Sequence, residues 1–61
     1  MTNWKFNIGD KVEFRFGKRF KGEVIGRAEY EGGRTSYLVR TENGHGEQVE
    51  KWHDVSALNA A

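Results

Sequence analysis

Apolar and polar side chains alternate through Lys11–Phe16, KVEFRF. Val12, Phe14 and Phe16 fall on one side, and Glu13 and Arg15 on the other. A period of two marks a half-buried strand. Ile8-Gly9-Asp10 before it reads as a tight entry turn, and Gly17-Lys18-Arg19 after it as a loop. The next piece, Phe20–Tyr30, is longer. Val24, Gly26, Ala28 and Tyr30 share one side; Glu23, Ile25, Arg27 and Glu29 share the other. Gly22 and Gly26 inside it predict a bend or bulge, because interior glycines weaken a ladder and admit close backbone approach.

Paired glycines in Glu31-Gly32-Gly33-Arg34 predict a hairpin loop, since glycine adopts positive φ without steric cost. A third strand follows at Thr35–Thr41, with Tyr37 and Val39 inward and Arg40 outward. Asn43-Gly44 is the strongest hairpin signal in the chain. It leads to a fourth strand at Glu47–Trp52. Asp54 to Leu58 reads as a single helical turn with Asp54 as N-cap, and a short final strand or tail begins at Leu58. No segment holds a 3.6-residue period over three turns. Five short strands with glycine-rich turns predict an all-β fold, a small five-stranded SH3-like barrel with one short 3-10 turn near the C-terminus. One domain spans 1–61, with residues 1–7 as a loosely docked N-terminal arm.

Composition limits how such a domain holds together. A chain of 61 residues without cysteine has no disulfide or thiolate metal site. Two histidines and scattered carboxylates make no zinc pattern, so neither a metal nor a cofactor is expected. Stability must come from the eight aromatic residues or from association with other chains. The longest apolar runs fall far below the ~20 residues of a membrane span. The start, MTNWKFNIGD, lacks the apolar stretch of a signal peptide. A cytoplasmic protein without membrane contact is expected.

Formal charge is only +1, but it is uneven. Residues 1–30 carry seven bases and four acids, while 31–61 carry three and five. The basic excess peaks at Lys18, Arg19 and Lys21. With Arg15 and Phe20, these make a candidate surface for tracking a phosphate backbone and stacking a base. The plainer reading is a solvated loop with Phe20 folded inward. Trp52-His53 is a second candidate, either a stacking patch or a barrel-closing tryptophan beside a solvated histidine. Trp4 and Phe6, near the chain start, must dock either on their own barrel or on another subunit. Lys51 joins them as a candidate partner contact. Ser36, Ser56, His45 and His53 form no recognisable triad, so no catalytic residue is assigned.

The frame Phe6-x-x-Gly9-Asp10-x-Val12, Gly17, Gly22-x-Val24-x-Gly26, Tyr37-x-Val39 and Val55-x-Ala57-Leu58 resembles the plasmid-borne type II dihydrofolate reductases. The resemblance spans nearly the whole chain after Asn3, with a slightly longer Asn43–Glu47 hairpin. It implies an SH3-like barrel, a homotetramer, and NADPH-dependent reduction in a pore shared by four copies. Most matched positions are turn glycines and core apolars that any such barrel needs. The family's Val-Gln-Ile-Tyr motif falls on Glu50-Lys51-Trp52-His53, with no residue retained. Its active-site lysine falls at Phe14.

The fold is therefore carried over and the reaction is not. The expected function is that of a small non-enzymatic binding module, an accessory protein of phage, plasmid or bacterial type. Its partner is nucleic acid or an acidic protein, held by the basic loop and aromatic patch. An interaction module with a peptide groove of Trp4, Phe20, Tyr30, Tyr37 and Trp52 is the first alternative. A divergent homo-oligomeric reductase is the second.

Overall fold

A computed structural model describes residues 3–61. Strands β1 (Lys11–Phe16), β2 (Lys18–Glu29), β3 (Thr35–Glu42), β4 (Gln48–Asp54) and β5 (Asn59–Ala60) form one sheet in the order β4-β3-β2-β1-β5. Every pairing is antiparallel. Val55–Ala57 is the 3-10 turn, and the Asp54 side chain caps it by accepting from the Ser56 N–H at 3.0 Å. The five-stranded all-β reading holds, and so does its single late turn. The first two residues of the expected N-terminal arm, Met1 and Thr2, lie outside the described residues.

Turn chemistry explains where the strands begin. Between β1 and β2 the reversal is made by Gly17 alone, at φ 80°. Phe16 pairs directly with Lys18, and Arg15 with Arg19. The expected loop over Gly17–Arg19 is thus corrected: Lys18 and Arg19 are ladder residues. Gly32 and Gly33 turn the β2–β3 hairpin with φ of 93° and 86°, as their pairing predicts. The β3–β4 hairpin sits at Asn43-Gly44, but the left-handed residue is Gly46 (φ 81°). Asn43 Oδ1 accepts from the N–H groups of His45 (2.8 Å) and Glu47 (3.0 Å), so its side chain shapes a longer loop.

The strict alternation expected along β2 fails at Ile25. Val24 pairs with Val39, but Gly26 pairs with Leu38, leaving Ile25 as a bulge. One extra residue transfers every later side chain to the other face. Arg27, expected outward from the core, therefore lies opposite Tyr37.

The core comprises Phe6, Val12, Val24, Tyr37, Val39 and Leu58, with Trp4, Phe14 and Val55 packed against it. Phe6 is only 4% exposed, and its ring meets Tyr37 edge-on at 5.2 Å. Full burial of such a ring is worth about 1.5–3 kcal/mol. The Tyr37 hydroxyl accepts from the backbone N–H groups of Lys5 (2.9 Å) and Phe6 (3.4 Å). Trp4 also meets Tyr37, and the Arg27 guanidinium lies 4.4 Å from its ring centroid. The arm from Trp4 to Phe6 is thus tied to its own chain. This corrects Phe6 as a partner contact, because its surface is already spent in the core.

Two features shape the far end of the sheet. β2 pairs with β3 only from Glu23 onward. Gly22 sits against β3 so closely that a Cβ there would lie 2.5 Å from Val39 Cγ1 and 2.7 Å from the Arg40 carbonyl oxygen. Beyond it the β1–β2 hairpin runs on as a two-stranded arm. The second feature is the seam between β1 and β4. No ladder joins these strands. The His53 and Phe14 rings meet across the seam with centroids 4.4 Å apart.

Candidate functional site

The β1–β2 arm carries most of the expected basic site, sorted by strand alternation onto two faces. Phe14 and Phe20 are cross-strand partners and stack at 5.5 Å with 17° between planes. Lys18 lies on this same face, opposite Phe16, with Nζ 5.3 Å from the Phe20 centroid. Arg15, Arg19 and Lys21 lie on the other face with Glu13. Arg15 and Arg19 stand directly opposite one another, an arrangement that destabilises a ladder. The Glu13 carboxylate offsets this weakly, 3.9 Å from Arg19 Nε.

Phe16, expected inward, is 84% exposed. Its alternation is correct, but β3 does not reach that far along the arm, so its ring has no opposing layer. Phe14, Phe16 and Phe20 instead form one side of a groove of about 320 Å³. Val39, Val49 and His53 are also among its lining residues, and Arg15 and Lys51 border it. No acidic residue lines it. The Thr41 hydroxyl, also in the lining, is buried with no hydrogen-bond partner among the described residues. Burial of the His53 imidazole, aided by the nearby Lys51 ammonium, lowers its pKa from the ordinary value.

Trp52 and His53 do not form one patch. They are successive strand residues and face opposite sides. Trp52 pairs with Leu38 on the outer face, where its indole reaches toward Gly26 and remains 53% exposed. It neither closes a barrel nor joins the groove. Glu50 shares its outer face, paired with Arg40. The positions at which the family resemblance places an active site therefore divide: Phe14, Lys51 and His53 at the groove, Glu50 and Trp52 behind it. The peptide groove expected from Trp4, Phe20, Tyr30, Tyr37 and Trp52 does not assemble either, because Tyr37 is fully buried.

Charges on the outer face neutralise one another. Glu50, Arg40, Glu23 and Lys11 follow as cross-strand neighbours of alternating sign. Ion pairs join Arg40 to Glu50 at 3.3 Å and Lys11 to Glu23 at 2.9 Å. The hydrogen bond from Lys11 holds the Glu23 carboxyl below its ordinary pKa. Arg34 grips Asp54 with two bonds, of 2.7 and 2.9 Å. Among the described residues, Lys5, Arg15, Lys18, Lys21, Arg27 and Lys51 have no ion-pair partner, and Lys5, Lys18 and Arg27 lie over aromatic rings instead. Three of these belong to the arm, and Lys51 borders the groove beside it.

The residues that sequence reasoning missed are Phe14, Phe16, Val39, Thr41 and Val49 as groove lining. A run of alternating phenylalanines signals a core strand and carries no sign of where the covering layer stops. Among the described residues no three His, Asp or Glu side chains converge as metal ligands, and no helix is long and apolar enough to cross a membrane. No protein-family model matches the chain, and neither a curated protein nor a solved structure does.

Proposed function

We propose that this protein is a small non-enzymatic module that binds nucleic acid through the β1–β2 arm. The observation that carries the reading is the gathering of three cations without a carboxylate partner, Arg15, Lys18 and Lys21, on one projecting hairpin tipped by an exposed Phe16. Elsewhere Lys11, Arg34 and Arg40 meet carboxylates, and Lys5 and Arg27 lie over aromatic rings, as Lys18 does on the arm. A like-charge Arg15–Arg19 pair, only weakly offset by Glu13, and a solvated phenylalanine both cost stability. Local rules broken together in this way are characteristic of binding surfaces. Phosphates supply the missing anions, and the ring supplies a stacking surface. In this proposal the sheet is of SH3-like type, its β1–β4 seam held by side chains, and the resemblance to the reductases extends to the fold alone.

The test is titration of a labelled oligonucleotide across a salt series. Two or three phosphate contacts give a log–log salt slope of about −1.4 to −2.7. The triple variant Arg15→Ala/Lys18→Ala/Lys21→Ala should lose both the affinity and the slope. A flat salt response, or full binding by the triple variant, overturns the proposal.

A second reading has one observation in its favour. The groove is lined mainly by apolar and aromatic side chains, as the peptide channels of interaction modules are. Binding of a proline-rich peptide that persists at high salt and survives the triple substitution would favour it.

A further inference from the structure

Two halves of the arm stand side by side: a cationic edge and an aromatic groove. We infer that the groove receives an unpaired nucleobase, so that the module's ligand is single-stranded nucleic acid rather than duplex. This deepens the proposed function and rests on it.

The stacked Phe14–Phe20 pair and the His53 ring form a continuous aromatic row from β2 and β1 to β4. That row lines a recess between the arm and the sheet. Bases in a duplex are stacked on one another and present only their edges in the grooves. A base must be splayed out of any helix before its flat face can meet such a row. The recess, at about 320 Å³, lies at the small end of ligand sites, which run from ~300 to 1,000 Å³.

Charge complements the shape. Lys18 sits over Phe20, while Arg15 and Lys51 border the recess, and no carboxylate lines it. An apolar peptide would gain nothing from this edge. A nucleotide gains twice, from its ring on Phe14 and Phe20 and from its phosphates on Lys18, Arg15 and Lys51. Phe16, at the exposed outer end of the same wall, offers a second stacking surface for the next base. Stacking of this kind tolerates any base, because each has a π face. The inference is thus of binding to single strands with little sequence preference.

The experiment compares a fluorescein-labelled oligothymidylate with the same strand annealed to oligoadenylate, for the unaltered protein and for Phe16→Ala. Phe16 is solvated, so its truncation leaves the fold intact. The single strand should bind at least about tenfold more tightly than the duplex, and Phe16→Ala should weaken single-strand binding by roughly tenfold. The salt slope should stay unchanged in Phe16→Ala, since no phosphate contact is removed. In parallel, NMR titration with thymidine monophosphate should shift the ring resonances of Phe14, Phe20 and His53.

Equal binding of single strand and duplex, together with a neutral Phe16→Ala, overturns the inference while the cationic arm keeps its proposed function. Absence of binding to either form overturns both. Concentration-dependent self-association that Phe16→Ala abolishes and oligothymidylate leaves untouched would give the groove to a second copy of the chain. Uptake of a proline-rich peptide into the groove, with no ring shifts on adding the nucleotide, would give it to a peptide. Either result overturns the nucleobase assignment.

Discussion

At the scale of single residues, Tyr37 carries more of the structure than its one hydroxyl suggests. Its ring is fully buried, and its oxygen lies within hydrogen-bond distance of the Lys5 and Phe6 amides and the Thr35 hydroxyl. Removing that oxygen strands donors that water reaches poorly. Tyr37→Phe should therefore cost about 1–3 kcal/mol in urea unfolding and speed hydrogen exchange at Lys5 and Phe6 ahead of the sheet amides. Asp54 governs the acid side. Hydrogen bonds from the Ser56 hydroxyl, Arg34 and the Ser56 amide lower its pKa from 3.8 to about 2. A carboxyl that is more acidic when folded binds fewer protons than in the unfolded chain, so it stabilises the fold above its unfolded pKa. That contribution is complete above about pH 4 and fades as pH falls toward about 2. Glu23, lowered by Lys11, acts in the same direction. In acid titrations followed by circular dichroism, Asp54→Asn should flatten the loss of stability over this window.

At the scale of elements, the β1–β2 hairpin holds a destabilising like-charge cross-strand pair, Arg15 and Arg19. Arg15→Thr removes a like-charge cross-strand pair and inserts a residue that favours strands. It should stabilise the fold by about 0.2–1 kcal/mol while weakening oligonucleotide binding, a split that thermal melts and anisotropy would read separately. Gly22 is the opposite case, a position where the backbone itself needs the space. Gly22→Ala drives a methyl into Val39 and the Arg40 carbonyl, and should cost about 1–3 kcal/mol in denaturant midpoint measurements. The strands were legible in the sequence because alternation and turn glycines are local signals. β1 begins and ends where the pattern says, and β4 runs only two residues further than its pattern, to Asp54. The Ile25 bulge was not legible beyond a hint from Gly26, since it depends on how β3 registers against β2. The candidate site was legible as a list of basic and aromatic residues. Its division into two faces followed from the same alternation once Lys18 and Arg19 were strand, and that hinged on Gly17 reversing the chain alone.

At the scale of the whole molecule, the described chain measures 39 × 19 × 18 Å, with a Cα radius of gyration of 11.5 Å. A compact domain of this length would have about 10.5 Å, and four compact copies about 18 Å. If the groove takes a nucleobase as inferred, small-angle scattering on dilute protein should return the mass of one chain and a radius much nearer the single-copy value. A radius near the larger one would point to a shared assembly. The seam between β1 and β4 has a different kind of consequence. Hydrogen-bonded closure would hold the two strands at the ~4.8 Å spacing of any ladder. The contact of His53 with Phe14, without a ladder, leaves the spacing to side-chain size. Across diverging lineages, exchanges at these two positions would widen or narrow the groove while every ladder stays intact. The width of the recess thus rests on two side chains rather than on the architecture.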